Sequence, residues 1–376
     1  MKLQIYGKVL KSLKSLHPKD IKGHGLKRVK KLAGLITGMI RYQSSHLSKI
    51  GKGLPQRITA YSKEKAAKCF LSNKWTDVET HYFPFLKAIL PIIINRNIRD
   101  NKGIHLIIDG SKIGNAHCTL MISMVYQKRS IPLAWIVKKQ PKGHFEIQNH
   151  IDLFIQVAKF LTPFLSDLPK HTLITVLGDG EFDSIELQEF CISKHWNYVI
   201  RTANNTVMYE NDEPFKAKHL AVPLGHNSLF IKEIAFTKKQ FKSVNFLLWH
   251  NSEFEQALPL ISSLDCPLKI MEAYRKRYAI EALFKDLKST SFNLHKTRLT
   301  KAYDISNLIM VAALAFNLLV LLADKFKSSP LKKEVIRIRK DRKEFSFYTF
   351  ALTLLFHLID EGIDFCFSTE FSKNST

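Results

Sequence analysis

The stretch Ile104-His-Leu-Ile-Ile-Asp109 is a short apolar run that ends in an acid, and it opens the part of the chain that decides the fold. The runs after it alternate, with strand-like segments at 118–126, 131–137, 172–179 and 196–201 and helix-like segments at 148–161 and 184–194. Strands are recognised by short apolar, β-branched runs between polar turns, and helices by apolar residues at a spacing of about 3.6. The order of three strands, helix, strand, helix, strand favours a mixed α/β sheet.

The rest of the chain divides around this segment. Residues 1–100 have helical character, and we expect a core built from 101–201 and 269–325. Between its two parts lies a β-rich insertion at 202–268, with strand-like pieces at 228–236 and 244–249. Residues 326–376 form a helical C-terminal region that contains the basic run 332–343.

The charge balance restricts the class of partner. The 376 residues include 57 Lys and Arg against 33 Asp and Glu, a net charge of +24. Such an excess repels itself unless a polyanion binds, so nucleic acid is the first expectation and an anionic membrane surface the second. Five scattered cysteines without a C-x-x-C pair disfavour a zinc ribbon or a disulfide scaffold and fit a reducing cytosol. The apolar run 308–323 is shorter than the roughly 20 residues that cross a bilayer, which favours a buried helix.

The N-terminal 100 residues are strongly basic. Residues 25–40 place apolar side chains at helical spacing beneath a basic face. A second helix is predicted over 62–71, with Ser62 as its N-cap. A small DNA-binding helical domain is one interpretation, and a helical bundle with a solvated basic face is the other.

Three acids could form one site. Asp109 and Asp179 each end a predicted strand, and ligands gather at the carboxyl ends of strands in α/β sheets. Glu281 on a later helix would add a third carboxylate, and such oxygen ligands suit Mg²⁺ or Mn²⁺. Two ions about 4 Å apart could then activate an attacking hydroxyl at a phosphodiester. Each acid also has a plain alternative, because Asp-Gly is common in turns and Glu281 with Lys285 could be a solvated i,i+4 pair.

The segment Tyr274–Lys288 is amphipathic. On a helix, Tyr274, Arg277, Glu281 and Lys288 fall within roughly 60° of one another, opposite an apolar face. These residues fit the pattern Y-x2-R-x3-E-x6-K, which resembles the signature of the bacterial insertion-sequence type four transposases with a DDE catalytic triad. The resemblance covers about residues 28–325.

The resemblance implies a ribonuclease H-like core with a β-rich insertion before the Glu helix. It implies that Asp109, Asp179 and Glu281 are the catalytic, metal-binding triad. It also implies that Tyr274, Arg277 and Lys288 contact DNA phosphates, and that the ions are two Mg²⁺, which Mn²⁺ can replace.

Two positions stay open at this stage. The family often has Arg directly after the second Asp, whereas Gly180 stands here, and Asp183 is a rival to Asp179. We prefer Asp179 because it directly ends the apolar strand. In related enzymes an aromatic residue of the insertion stacks on a flipped base, and Trp249 is the candidate by position. The alternative for Trp249 is a core side chain of a β-strand. Lys142 and His144 are left out of the site.

The resemblance implies a transposase that cuts at terminal inverted repeats and joins the 3′ ends to target DNA. The resemblance implies double-stranded DNA as partner, a homodimer on that DNA, no membrane, and a cytoplasmic, nucleoid-associated location in a bacterium. The alternatives are a ribonuclease H-like nuclease without strand transfer and a DNA-binding derivative that has lost catalysis.

Overall fold

The structure is a computed structural model, and it describes residues 1–100, 103–114, 116–140, 145–165, 168, 172–250, 256–335 and 347–367. Lys142, His144 and most of the basic run 332–343 lie outside the described residues.

The described chain forms helices and strands in the order expected. The helices are α1 (Lys2–Leu16), α2 (Gly23–Tyr42), α3 (Leu47–Ile50), α4 (Ala60–Leu71), α5 (Val78–His81), α6 (Phe83–Arg99), α7 (Ile147–Leu165), α8 (Ile185–Ser193), α9 (Pro267–Arg275), α10 (Tyr278–Lys285), α11 (Ala302–Phe326), α12 (Leu331–Val335) and α13 (Phe347–Asp360). The strands are β1 (Ile104–Ile113), β2 (His117–Tyr126), β3 (Arg129–Lys139), β4 (Ile174–Gly178), β5 (Asn197–Arg201), β6 (Val207–Glu210), β7 (Glu213–Lys216), β8 (Ser228–Phe236), β9 (Phe241–Trp249) and β10 (Leu258–Ser262).

One mixed sheet of ten strands runs through the described chain, in the order β3-β2-β1-β4-β5-β10-β9-β8-β6-β7. The neighbours β1–β4 and β4–β5 are parallel, and the other pairs are antiparallel. The mixed α/β architecture predicted from the alternation of strands and helices is therefore confirmed. The insertion at 202–268 does not form a separate sheet, because β10 pairs with β5 and continues the same sheet.

Helix α11 is the centre of the packing. It is the one helix of the described chain long and apolar enough to cross a membrane, but 94% of its apolar window is buried inside the protein. The side-chain amide of its buried Asn317 donates a hydrogen bond to the hydroxyl of Tyr82, which donates in turn to the carbonyl of Pro132. These contacts tie α11 to α6 and β3, as expected of a core helix rather than a membrane span.

The N-terminal helices pack closely on one another and on α11. A Cβ added at Gly38 of α2 would lie 1.9 Å from the carbonyl oxygen of Ile50, so the backbone of α3 can approach only because the residue is glycine. The amide of Asn307 on α11 donates hydrogen bonds to the carbonyls of Leu71 and Thr76, at 2.8 and 2.7 Å. The basic helical region is thus fixed to the same core as the sheet.

Three local predictions differ from the structure. Helix α4 begins two residues before Ser62, and the hydroxyl of Thr59 accepts the hydrogen bond from the backbone N–H of Ser62 at 3.1 Å, so Thr59 is the N-cap. Strand β1 continues past Asp109 to Ile113, because residues 104–113 and 117–126 form a long antiparallel hairpin. The segment Tyr274–Lys288 is not one helix, because α9 ends at Arg275 and α10 begins at Tyr278.

Candidate active site

The two aspartates lie at the same edge of neighbouring parallel strands. Strands β1 and β4 are paired up to Ile107 and Leu177, so Asp109 and Asp179 each stand two residues beyond that last pair. Asp179 directly follows β4, as the apolar run predicted. Asp109 lies inside β1, whose outer part pairs only with β2. The sheet register therefore brings the two carboxylates side by side.

Helix α10 brings the third acid to this edge. Its apolar face, with Ile280, Leu283 and Phe284, is buried against the sheet. Glu281 is on the other face, with 49% of its side chain exposed. The three acids line one cavity of about 400 Å³, together with Gly110, Ser111, Arg277, Phe284, Lys285, Lys288 and Ser289. The structure therefore brings Asp109, Asp179 and Glu281 to one cavity, as the sequence predicted.

Backbone hydrogen bonds orient both aspartates. One carboxylate oxygen of Asp109 accepts from the N–H of Gly110 at 2.7 Å, and one of Asp179 accepts from the N–H of Glu181 at 3.0 Å. The Glu181 carboxylate accepts in turn from the N–H of Phe145 at 2.9 Å. A carboxylate has two oxygens that can each accept more than one bond, so these backbone contacts are compatible with a bound cation.

Arg277 is the counter-ion of the cavity. Its guanidinium lies 3.8 Å from the Asp109 carboxylate and forms an ion pair with Glu281. It is also 5.7 and 5.1 Å from the ring centres of Tyr274 and Tyr278. The residue is only 9% exposed, so the guanidinium is enclosed among these groups. The phosphate contact that the family resemblance implied stays a prediction, and in this structure the guanidinium of Arg277 faces the acids.

The electrostatics of the cavity favour a cation. Burial raises the pKa of Asp109 to about 7, and the neighbouring negative charges of Asp179 and Glu281 act in the same direction. Arg277 and the N–H of Gly110 offset only part of this effect. Carboxylates that repel one another in a cavity are the donor set of a hard divalent cation, so these residues fit Mg²⁺. Among the described residues, no group of three or more His, Cys, Asp or Glu side chains is already arranged to hold a metal ion.

The rival acid Asp183 is differently placed. Its carboxylate accepts a hydrogen bond from the hydroxyl of Thr202 at 2.6 Å, and burial raises its pKa. It does not line the cavity that holds Asp109 and Asp179. This geometry favours Asp179 as the second acid, which was the preferred assignment.

The other three predicted site residues differ in their placement. The ammonium of Lys288 is at the cavity and donates to the hydroxyl of Ser111 at 3.1 Å. Tyr274 is 2% exposed and lies beneath Arg277, and burial raises its pKa to about 12. Trp249 is 1% exposed in β9, with the guanidinium of Arg275 5.1 Å from its ring centre. Its placement is that of the core alternative, because in this structure neither ring face is free to stack on a base.

Ser111 and Lys285 are among the cavity residues that were not predicted as site residues. Ser111 follows Asp109 by two positions in β1, and side chains two apart in a strand point to the same face. Ser111 was missed because the strand was predicted to end at Asp109. Lys285 was considered only as a partner for Glu281, and the structure places it on the cavity rim. If the strand is continued past Asp109, its alternation places Ser111 on the same face as Asp109 and so predicts it at the site.

The raised pKa of Asp109 predicts a stability effect in the absence of metal. Its pKa is about 7 in the folded protein against an ordinary 3.8, so the folded state binds more protons and loses stability as pH rises through this window. Asp109→Asn removes that loss. We expect the variant and the wild type to be equally stable near pH 4, and the variant to be more stable by about 2–4 kcal/mol at pH 8.

The measurement is urea unfolding of both proteins in EDTA over this pH range. Asp152→Asn is the control variant, since its carboxylate is exposed on α7 and lies outside the cavity. A stability difference between Asp109→Asn and the wild type that does not change with pH would contradict the raised pKa.

Comparison with known protein families gives one match. Residues 155–318 are similar to the family described as "Transposase DDE domain". This match covers less than half of the chain, and it includes Asp179, Glu281 and the other residues of the pattern over 274–288. Asp109 lies before it. The match supports a DDE transposase, and the comparison with curated proteins found no match.

Solved structures give distant likenesses. They include Ciona intestinalis endonuclease V in complex with DNA containing inosine, with 15% identity over 50% of this chain and 86% of that chain and a TM-score of 0.29. Kluyveromyces polysporus Argonaute with a guide RNA has 11% identity over 58% of this chain and 27% of that chain, with a TM-score of 0.23. Marinitoga piezophila Argonaute with guide RNA and target DNA has 12% identity over 83% of this chain and 51% of that chain, with a TM-score of 0.25. These TM-scores are too low for the likenesses to indicate anything about the site.

Proposed function

We propose that the protein is an insertion-sequence transposase of the type four family, which cuts at the terminal inverted repeats and joins the freed 3′ ends to target DNA. The observation that carries the proposal is the single cavity lined by Asp109, Asp179 and Glu281. The family match over 155–318 and the net charge of +24 support DNA as the substrate. The proposal includes a ribonuclease H-like core, a helical N-terminal region that binds the ends, and a homodimer on DNA.

In this proposal Asp109, Asp179 and Glu281 hold two Mg²⁺ ions. Bound ions of this kind activate an attacking oxygen and stabilise the leaving oxygen of a phosphodiester. In the first reaction a water oxygen attacks the phosphorus and the 3′-oxygen leaves as a hydroxyl. In the second reaction that 3′-hydroxyl attacks a phosphorus of the target, and a target 3′-oxygen leaves. Backbone hydrogen bonds hold both aspartates in place for these steps.

The cations at the rim would position the DNA. The ammonium of Lys288 lies beside Ser111, and Lys285 is exposed on the same rim. A phosphate that enters the cavity would contact these ammonium groups as well as the acids. They would offset the repulsion between the phosphodiester and the carboxylates. Arg277 would move its charge from the acids toward the phosphate when cations occupy the cavity.

Lys288→Ala is expected to weaken DNA binding through the loss of one phosphate contact. Affinity for duplex DNA should fall about 3–10-fold at moderate salt, and the slope of log K against log salt should decrease by about 0.9. Fluorescence anisotropy in EDTA measures both quantities. Ser111→Ala is the matched control, because it removes the hydrogen bond to Lys288 but keeps the ammonium charge. Equal losses in the two variants would contradict a phosphate contact by Lys288.

The main alternative is a ribonuclease H-like nuclease that does not join ends. A strand-transfer assay separates the two functions, with pre-cleaved duplex ends taken from the DNA that flanks the gene. A transposase should join their 3′-hydroxyls to a circular target in Mg²⁺. Cleavage of the uncut ends without any joining would favour the nuclease. A derivative without catalysis should bind the ends and produce neither product.

A further inference from the structure

Helix α4 has one buried face and one exposed face. Ala67, Phe70 and Leu71 are buried in the core. Tyr61, Lys65, Lys68 and Ser72 fall within roughly 60° of one another on the opposite side. All four are exposed, and the ring of Tyr61 is 76% exposed. The exposed face therefore combines an aromatic ring with two ammonium groups and has no acid.

Positive charges are crowded on both sides of α4. Burial lowers the pKa of Lys2, and the charges of Lys63 on α4 and of Arg41 lower it further. Beyond the other end of the helix, burial lowers the pKa of His46, and the charges of Arg298, Lys49 and Lys296 act in the same direction. Like charges held together in this way repel one another, and a bound polyanion would relieve the repulsion.

A cleft separates α4 from the loop that precedes α11. Its volume is about 390 Å³, and its lining includes Ser45, His46, Lys68, Ser72, Arg298 and Lys301. The two acids of the lining face little of the solvent. Asp304 is 5% exposed and accepts a hydrogen bond from the hydroxyl of Ser72 at 2.8 Å, and Glu64 is half-buried. The exposed lining is therefore mainly cationic and hydroxylic, with Glu64 as a partly exposed acid, and such a lining suits phosphate groups.

The cleft is rigidly joined to the candidate active site. The imidazole of His295 donates a hydrogen bond to the backbone carbonyl of Lys288, which lines the carboxylate cavity. From there the chain runs through Arg298 and Lys301 into α11. On the other side of the cleft, Ser72 contacts Asp304 of α11. A ligand that spans α4 and the cleft would thus be held at a fixed position relative to the carboxylates.

We propose that the exposed face of α4 and the cleft beside it form a binding surface for duplex DNA, with α4 in the major groove and the cleft on the adjacent phosphates. Helix α4 has 12 residues, a length of about 18 Å. The major groove is about 12 Å wide and admits a helix. A helix that lies in a membrane surface instead buries a broad apolar face, and the exposed face of α4 offers only the ring of Tyr61 for that purpose. The choice of DNA as the partner rests on the proposed function.

Cys69 provides a probe of this surface without any substitution. It is exposed on α4, whereas Cys118 and Cys191 are buried and Cys266 is half-buried directly before α9. The experiment follows alkylation of Cys69 and Cys266 by peptide mass spectrometry, in EDTA, with and without a 20-bp duplex of mixed sequence. Saturating duplex should slow alkylation of Cys69 about tenfold or more and leave Cys266 within about twofold. Unchanged alkylation of Cys69, or protection by anionic vesicles in place of DNA, would overturn the proposal.

A pair of double variants tests the charges. Lys65→Ala/Lys68→Ala should decrease the slope of log K against log salt for the same duplex by about 1.8. Lys159→Ala/Lys194→Ala is the control, because these two lysines are also exposed but line a cavity between α7 and α8. Equal slopes in the two double variants would contradict the surface. Alanine favours the helical conformation, so both double variants should keep their helices, and circular dichroism measures whether they do.

The outcome separates this surface from the proposed function. Protection of Cys69 by DNA without any cleavage in Mg²⁺ would support the surface and contradict the transposase. Cleavage and joining with an unprotected Cys69 would support the transposase and contradict the surface.

Discussion

Asp109→Asn, Asp179→Asn and Glu281→Gln are each expected to abolish strand cleavage while DNA binding remains. Each substitution keeps the size of the side chain and removes one negative charge from the cavity. A divalent ion loses one of its few carboxylate ligands, so the rate of cleavage should fall on the order of 1,000-fold or more. Binding should remain within about threefold of the wild type, because phosphate contacts come from cations. A gel assay of cleavage in Mg²⁺ and an anisotropy assay in EDTA measure the two effects.

Asp183→Asn is the matched control for Asp179→Asn. Both acids follow β4 within five residues, but only Asp179 lines the cavity. An asparagine at 183 can still accept the hydrogen bond from Thr202, so most of the activity should remain. Cleavage by Asp179→Asn at the rate of the wild type, or complete loss in Asp183→Asn alone, would reverse the assignment.

Local sequence was enough to predict the position of Asp179. A run of apolar residues followed by Gly-Asp predicts a buried strand with an acid at its end, and β4 ends at Gly178. The alternation of strands and helices over 104–201 was equally visible, because each element buries one continuous apolar face. Glu281 was recognised because the buried residues of α10 recur at helical spacing on the other side of the helix.

Long-range pairing was not visible in the sequence. Strand β1 continues through Asp109 because β2 pairs with it from Leu106 to Ile113, and pairing between strands is a tertiary contact. For the same reason the insertion joins the main sheet through β10 and β5. The burial of Trp249 follows from this arrangement, since β9 lies between β10 and β8 within the sheet. Local propensity contains no information about such partners.

The break between α9 and α10 was also missed. The pattern over 274–288 fits one uninterrupted helix, but Lys276 and Arg277 connect two helices. In an unbroken helix Arg277 and Glu281 would simply be neighbours on an exposed face. In the structure Arg277 is enclosed and also reaches the Asp109 carboxylate. This second contact is what makes Arg277 the counter-ion of the cavity.

Arg277→Gln should therefore destabilise the protein in the absence of a divalent cation. The substitution leaves the buried Asp109 carboxylate without its counter-ion. Because its pKa is about 7, the carboxyl can take up a proton instead, which limits the loss at pH 8 to about 1–2 kcal/mol. The contact with Glu281 adds little, because half of that side chain is exposed. Urea unfolding at pH 8 in EDTA measures the loss. At pH 5, below the raised pKa of Asp109, the carboxyl is mostly protonated and the loss should be smaller.

Addition of Mg²⁺ at pH 8 tests whether the guanidinium of Arg277 supplies the positive charge that a bound cation would supply. If the cation occupies the cavity between the acids, it supplies the positive charge that Arg277→Gln removes, and most of the lost stability should return. Lys269→Gln on α9 is the control, since that cation is exposed and lies away from the carboxylates, and it should change stability little in either condition. Recovery in Mg²⁺ should also require Asp179, so the double variant Arg277→Gln/Asp179→Asn should recover less. A loss of stability that Mg²⁺ leaves unchanged would mean that Arg277 packs against Tyr274 and Tyr278 without standing in for a metal charge.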